Sequence, residues 1–416
     1  MISLPFSSLA LMIALSLSVA CAAAAPPAAQ PAKEEAKAAA AANNLFAAEV
    51  YAKLRTEAKG NLFFSPYSIS TALAMVHAGA AGKTQAEIAS VLHLKGNLPQ
   101  VNAGYDALTG YLNAGGKAGG YQLAVANALW GQKNVGFLAS YTDTLQKSYS
   151  ANLFDVDFSA DSEAARQRIN KWVEGQTKEK IKDLMPSGSI NNMTRLVLTN
   201  AIYFKGAWQD EFNKKSTRDM PFTLGDGKET TTPMMYQSKR FRYLAEEGFQ
   251  AIALPYKDSQ LSMVILLPKA KDGLAALENK LTGEGLAEVL KKISAAGMTK
   301  VNTSIPRFKT ASTFGLNKTL ADLGMPTVFT EAADLSGING RRDLSIQAAV
   351  HKAFVDVNEE GTEAAAATGI SIGVTSVQAD PTVFRADHPF LFMIHDNATG
   401  AVLFMGRLMD PKDEGK

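Results

Sequence analysis

Five histidines (His77, His93, His351, His388 and His395) and one cysteine, Cys21, are the side chains best suited to metal binding or nucleophilic attack. None of the histidines lies in an H-E-x-x-H pair, and no His/carboxylate spacing matches a zinc site. The chain has no G-x-S-x-G, no P-loop and no G-x-G-x-x-G, so serine-hydrolase, nucleotide and dinucleotide chemistry lack their motifs. A lone cysteine forms no intrachain disulfide and no Cys-ligated cluster. The histidines therefore read as packed or surface groups. The chain is not expected to be an enzyme or to carry a metal or other cofactor.

One stretch stands out instead. Gly361–Ala379, GTEAAAATGISIGVTSVQA, holds no charge between Glu363 and Asp380. Long connections in compact domains are normally polar or functional. The first half is small, Thr362 and then Ala364 to Thr368. The second half places Ile370, Ile372 and Val374 on one parity and Gly369, Ser371, Gly373 and Thr375 on the other. That alternation marks a strand with one buried face, and carried backwards it collects Thr368, Ala366, Ala364 and Thr362. A stretch written as a strand but placed as a connection has two homes, one exposed as a loop and one inside a sheet.

The run EEGTEAAAATG is similar to the hinge of an inhibitory serpin, and residues 388–409, HPFLFMIHDNATGAVLFMGRLM, resemble the serpin C-terminal signature. The resemblance runs from Asn44 to Pro411. It implies an α+β serpin fold: a large central mixed β-sheet, two further sheets, eight or nine helices and an exposed reactive-centre loop. It implies a suicide-substrate inhibitor, whose cleaved loop enters the central sheet as a new strand. By position in the family, the hinge is Glu359, Gly361, Thr362, Glu363, Ala364, Ala365, Ala366 and Ala367, and the reactive bond falls at Thr375–Ser376, with its neighbours Val374 and Val377; because the segment before His388 varies in length among serpins, cleavage after Val374 or at Ser376 to Gln378 stays open. Ser65 and Ser68 in FFSPYSI, Asn200 in LTNAIYFKG and His351 in AVHKAFVD match a polar latch under the strands that part. Trp208 and Arg307 match supports at the top of that sheet, with Arg307 the partner of Glu359.

Every residue near the reactive bond is small, β-branched or an amide. The expected partner is therefore an elastase-like or subtilisin-like serine protease held in a covalent complex, with papain-like cysteine proteases as a secondary class. A non-inhibitory serpin acting as a chaperone, carrier or cleavable substrate is the second reading. Such members carry bulky, charged or Pro residues in the hinge, where this chain has four alanines.

A net charge of +2 gives no general attraction to nucleic acid or to an anionic membrane. Residues 97–113 lack a basic stripe, so no glycosaminoglycan partner is expected, and a monomer is expected. Leu9–Ala20 is an apolar run of signal-peptide length, although no Lys or Arg precedes it. Ala20–Cys21 resembles a bacterial lipoprotein cleavage site, which would make Cys21 the lipid carrier and the only link to a membrane. An A-x-A site within Ala22–Ala25 would instead release a secreted protein. The expected organisation is a signal peptide over 1–21, a flexible Ala/Pro/Lys/Glu tether over 22–43 and one serpin domain over 44–416. The expected location is extracellular or at the outer envelope.

Several elements must position these groups. Ser65-Pro66 opens a helix, because Ser caps and Pro suits the first turn. Tyr121–Trp130 alternates as a strand, and Asp161–Gln176 is an amphipathic helix. Met193–Phe204 is apolar enough for a central strand. Strands dominate 220–268, Gly273–Ser294 is helical, and Thr299–Lys309, Leu344–Asn358 and residues 390–408 are strands.

Overall fold

A run of Leu, Val, Ile, Tyr and Phe with one charge, Leu196–Ala207, forms the strand at the middle of the molecule. Both its faces are covered, which is why it reads as continuously apolar rather than alternating. The structure is a computed structural model that describes residues 33–117, 120–362 and 382–415. Among these residues the strands are, in chain order, β1 (Leu62–Phe64), β2 (Tyr121–Gln132), β3 (Asn152–Val156), β4 (Leu196–Ala207), β5 (Arg218–Thr223), β6 (Glu229–Ala245), β7 (Phe249–Pro255), β8 (Leu261–Pro268), β9 (Met298–Pro306), β10 (Phe308–Gly315), β11 (Ala348–Asn358), β12 (Gly361–Thr362), β13 (Thr382–Arg385), β14 (Phe390–Asp396) and β15 (Val402–Leu408).

The central sheet runs β10-β11-β12-β4-β2-β3. Most of β11 pairs directly with β4 in parallel, from Ala348 opposite Val197 to Phe354 opposite Tyr203. Only at the top does the two-residue β12 stand between them. The second sheet runs β1-β15-β14-β8-β7-β6-β9-β13, with β5 added on β6. Where two further sheets are expected, one continuous sheet is found. The cause is β6, which pairs with β9 along Met234–Arg242 and then with β7 along Arg242–Ala245.

The helix Pro66–Gly79 is buried nearly all round. Ser65 caps it, its Oγ accepting from Ser68 N at 3.1 Å, and Pro66 supplies the preset first turn. On the opposite face of the central sheet lies the helix Ser162–Gln176, capped by Asp161, whose carboxylate accepts from Ala164 N at 2.8 Å. Its Ala165, Ile169 and Val173 share a core with Ala126 and Ala128 of β2, Val197 and Ala201 of β4, and Ala348 and Val350 of β11.

Ten α-helices are present among the described residues, against eight or nine expected. The segment read as one helix over Gly273–Ser294 is two, Leu274–Lys280 and Gly285–Ala295, divided where Gly283 turns with φ +54°. Strand Thr299–Lys309 likewise divides at Arg307 into β9 and β10. The expected tether needs correction at its C-terminal end, because a helix begins at Glu34 and runs to Glu57, with Ala36 and Ala40 fully buried. Alanine has the highest helix propensity. At Gly104 of the neighbouring helix, a Cβ would meet Ala39 Cβ at 3.5 Å, so the helices approach through small residues. Reading a tether from the lack of large apolar periodicity overlooked this kind of contact.

Candidate functional site

Two clusters lie on the seam between β11 and β4. The upper one anchors the point where the chain leaves β11. Glu359 and Glu360 are the two residues that turn β11 back into β12, and both are buried. A buried carboxylate must be paired and hydrogen-bonded to stay charged. The Arg307 guanidinium meets Glu359 in a two-pronged contact, Nε donating to Oε1 at 2.8 Å and to Oε2 at 2.7 Å, with Nη2 also donating to Oε1. Thr217 Oγ1 donates to the same carboxylate. Burial alone would raise the Glu359 pKa; the Arg307 and Thr217 hydrogen bonds outweigh it and hold it below the usual carboxylate value. Lys214 pairs with Glu360. The carbonyls of the same two residues accept from the backbone, Phe212 N to Glu359 O at 2.9 Å and Trp208 N to Glu360 O at 3.0 Å.

The next two residues are already strand. Gly361 pairs with Asn358 and Ala207, and Thr362 with Val357 and Gly206. Gly361 adopts φ +151°, and a Cβ there would stand 2.1 Å from Gly206 O and 2.7 Å from Ala207 Cα, so no side chain fits. Thr362 is fully buried and its hydroxyl meets Tyr256 Oη at 2.7 Å. Trp208 stacks on Tyr256 with centroids 4.6 Å apart, and its indole N–H donates to Asn358 O at 2.9 Å. The aromatic ladder thus roofs the slot that holds Thr362.

The lower cluster lies under the directly paired part of β11 and β4. Ser65 N donates to His351 Nε2 at 3.0 Å. That nitrogen must be the bare one, so the neutral ring carries its proton on Nδ1 and donates it to Asn200 Oδ1. Asn200 Nδ2 donates to Ser68 Oγ at 2.6 Å and also to Asn127 Oδ1. Ser68 Oγ donates to Asn127 Oδ1 at 3.1 Å, and Asn127 Nδ2 to Ser68 O at 3.2 Å. Ser65 Oγ donates to Leu403 O on β15. The network draws on the helix Pro66–Gly79 and its cap, on β2, β4 and β11, and on β15 of the other sheet, and it is closed.

Burial lowers the His351 pKa from 6.5 to about 3. The unfolded ring therefore binds a proton that the folded ring refuses, and stability rises with pH across that interval. The contribution is complete above the unfolded value and is lost as pH falls toward 3. Burial also lowers His395, to about 4, and His77, and both act in the same sense. Lowering the pH from 7 to 4.5 is expected to remove about 2–3 kcal/mol through His351 alone. The urea midpoint should fall less steeply over this range in His351→Gln than in the parent; parallel curves would remove His351 as the sensor.

Of the residues expected to act, the structure brings together Ser65, Ser68, Asn200 and His351 in one cluster and Trp208, Arg307, Glu359, Gly361 and Thr362 in the other. Glu363, Ala364, Ala365, Ala366, Ala367, Val374, Thr375, Ser376, Val377 and Cys21 lie outside the described residues. Asn127, Tyr256, Thr217 and Lys214 were missed by sequence reasoning. Asn127 alone left a signal, as the single amide in the small, apolar run AVANALW of β2. Among the described residues no group of three or more His, Cys, Asp or Glu could hold a metal ion.

A family model described as serpin (serine protease inhibitor) matches residues 41–411. The chain belongs to the serpin family. This serpin is 44% identical to human leukocyte elastase inhibitor, over 89% of this chain and 99% of that one. Its structure is similar to Arabidopsis AtSerpin1 in a native stressed conformation, with a TM-score of 0.81 at 32% identity over 90% of this chain and 98% of the other. It is equally similar to Serpin48 of the insect Tenebrio molitor, with a TM-score of 0.81 at 32% identity over 91% and 99%.

These matches correct the expected location. Secretion or lipid anchoring rested on the N-terminal stretch, together with its likeness to a bacterial lipoprotein site. The leukocyte elastase inhibitors of human, mouse and horse are aligned over 98–99% of their own length with 89% of this serpin. That leaves them no counterpart of the stretch, and the relatives are animal proteins, so the secreted or envelope-anchored assignment is withdrawn.

Proposed function

We propose that this serpin is a suicide-substrate inhibitor of serine endopeptidases, of the elastase-like or subtilisin-like kind, and that it acts as a monomer. The observation that carries the reading is β12. Its two residues occupy the place of a strand between β11 and β4, antiparallel to both, while the seam below stays closed by direct pairing. Carrying that register onward would set Ala364 beside Val355 and Phe204, Ala366 beside Ala353 and Ile202, and Thr368 beside His351 and Asn200. All six of those neighbours are buried, so the incoming side chains on that parity must be small or apolar.

The protease serine attacks the Thr375 carbonyl. An ester forms, the Thr375–Ser376 bond breaks, and the Ser376 amine leaves with the proton delivered by the protease histidine. The freed N-terminal side then zips into the seam, Ala364 to Ala367 passing first. Roughly 10 net backbone hydrogen bonds at ~1 kcal/mol each give ~10 kcal/mol, which rivals the stability of a whole domain, ~5–15 kcal/mol. That free energy drags the acylated protease before water completes hydrolysis. The Glu359–Arg307 pair and the Ser65/Ser68/Asn200/His351 latch, with Asn127 added, hold the uncleaved state. Small residues at the bond, together with a relative named for elastase inhibition, support the protease class. The helix Leu98–Lys117 has Lys117 as its single basic residue, which supports action without a polyanion.

Mixing the protein with neutrophil elastase, subtilisin, trypsin and papain tests the reading. A band of summed mass that survives detergent is expected with elastase or subtilisin, together with a released peptide beginning at Ser376. Loop cleavage that leaves the protease active would favour the second reading, a cleavable non-inhibitory serpin.

A further inference from the structure

The chain has three tryptophans, and two of them, Trp130 and Trp172, stand together at the rim of the central sheet. The outermost strand there is β3, whose Phe154 lies opposite Trp130 of β2 in parallel register. Trp172 comes from the helix Ser162–Gln176, whose Ala165, Ile169 and Val173 turn into the core. Trp130 and Phe154 stack with centroids 4.6 Å apart. Trp172 stands edge-on to both, at 5.4 Å and 80° from Trp130 and at 5.3 Å and 65° from Phe154. The rings thus form the two walls of a corner. Trp130 is buried and anchored, its indole N–H donating to Thr199 Oγ1 at 2.8 Å, whereas Phe154 and Trp172 are half-buried. The corner opens onto a cavity of about 260 Å³, whose remaining walls among the described residues are Arg168 and Lys171. On the helix these two and Trp172 fall at spacings of three and four residues, so they share a face. Arg168 donates to Asp155 O at 2.9 Å. Neither cation makes an ion pair among the described residues, and no carboxylate of those residues lines the cavity.

We propose that this corner is a binding site for a small flat aromatic anion, a one-ring or two-ring carboxylate whose ring slots against Trp172 and Phe154 and whose charge meets Lys171 and Arg168. Three features select this occupant. Aromatic walls that meet nearly at right angles offer an entering ring one face to stack on and one edge to meet. Small-molecule sites are mostly apolar with a few polar groups that fix orientation, and here those groups are two cations, which favour a carboxylate. The cavity has room for one or two rings and is too small for a folded segment of another chain. None of the five lining residues belongs to the hinge or to the latch, so the site does not depend on the inhibitory reading.

Calorimetric titration of the full chain with naphthoate, a two-ring carboxylate, and with naphthamide, its uncharged counterpart of the same shape, tests the site. Naphthoate is expected to bind one-to-one, and naphthamide about tenfold more weakly. Lys171→Glu alters one exposed side chain and should melt as the parent does. Its affinity for naphthoate is expected to fall by about tenfold, with a smaller change for naphthamide. Trp172→Leu removes the edge-on ring and is expected to weaken both ligands. The proposal is overturned if naphthoate shows no saturable binding at millimolar concentration, or if the two ligands bind the parent equally well. It is also overturned if either variant, folded, binds naphthoate as the parent does, since the ligand would then sit elsewhere. Lys171→Glu keeps that outcome readable even where Trp172→Leu fails to fold.

Discussion

Thr362→Arg is expected to leave the loop cleavable and to abolish inhibition. In the uncleaved protein Thr362 is fully buried, its hydroxyl on Tyr256 beneath Trp208. A guanidinium there would be an unpaired charge in an apolar slot, at a cost of several kcal/mol. The cheaper course is for the hinge to stay out, so the strand never starts. Protease consumed per inhibitor should drop at least tenfold, and the detergent-stable band should give way to free cleaved serpin. Thr362→Val, which keeps shape and loses only the Tyr256 bond, should retain the band. If Thr362→Arg traps protease as well as the parent does, insertion at β12 is not the route.

Asn200→Ala should have the second large effect. Asn200 receives the His351 Nδ1 proton and donates to both Ser68 and Asn127. Its loss leaves the buried His351 Nδ1 without an acceptor, at about 1–3 kcal/mol, and takes one bond each from Ser68 Oγ and Asn127 Oδ1, which keep each other; a total of about 2–4 kcal/mol is expected. The loss should be greater in the uncleaved form than in the cleaved one, because insertion would bring Thr368 beside His351 as a replacement partner. Melting of both forms, with native gels for polymers after warming, measures this. Equal losses in both forms would make the cluster an ordinary buried network with no part in opening.

Ser65, Ser68, Asn200, His351, Glu359, Gly361 and Thr362 were legible through the likeness of FFSPYSI, LTNAIYFKG, AVHKAFVD and EEGTEAAAATG to serpin segments; the residues alone spoke only for a Ser-Pro helix start and a strand-like alternation from Thr362 onward. Asn127 was not legible, since nothing local says that β2 pairs with β4 in the register that puts Asn127 opposite Asn200. Tyr256 and Lys214 became site residues through folding at long range, as did the join of two expected sheets along β6. The helix from Glu34 escaped because Ala36 and Ala40 make the contact that large residues usually advertise.

The helix Ser162–Gln176 packs on β2, next to the seam that a new strand would enter, and shares a core with β4 and β11. Four of the sheet residues in that core are alanines, Ala126, Ala128, Ala201 and Ala348, beside Trp130, Val197 and Val350, and alanines give less apolar area than leucines would. The segment that follows the helix holds it too, through Ile181, Leu184 and Met185 in the same core and through polar bonds: Asn170 exchanges hydrogen bonds with Met185 N and O at 2.8 and 3.0 Å, and Arg166 adds a third to Met185 O. On the proposed reading this helix is the escapement of a clock. It must lift and reseat before the ester is hydrolysed, so replacing those alanines with larger residues would slow the clock, and the same inhibitor would then lose the race to proteases that deacylate quickly while still catching the slow ones.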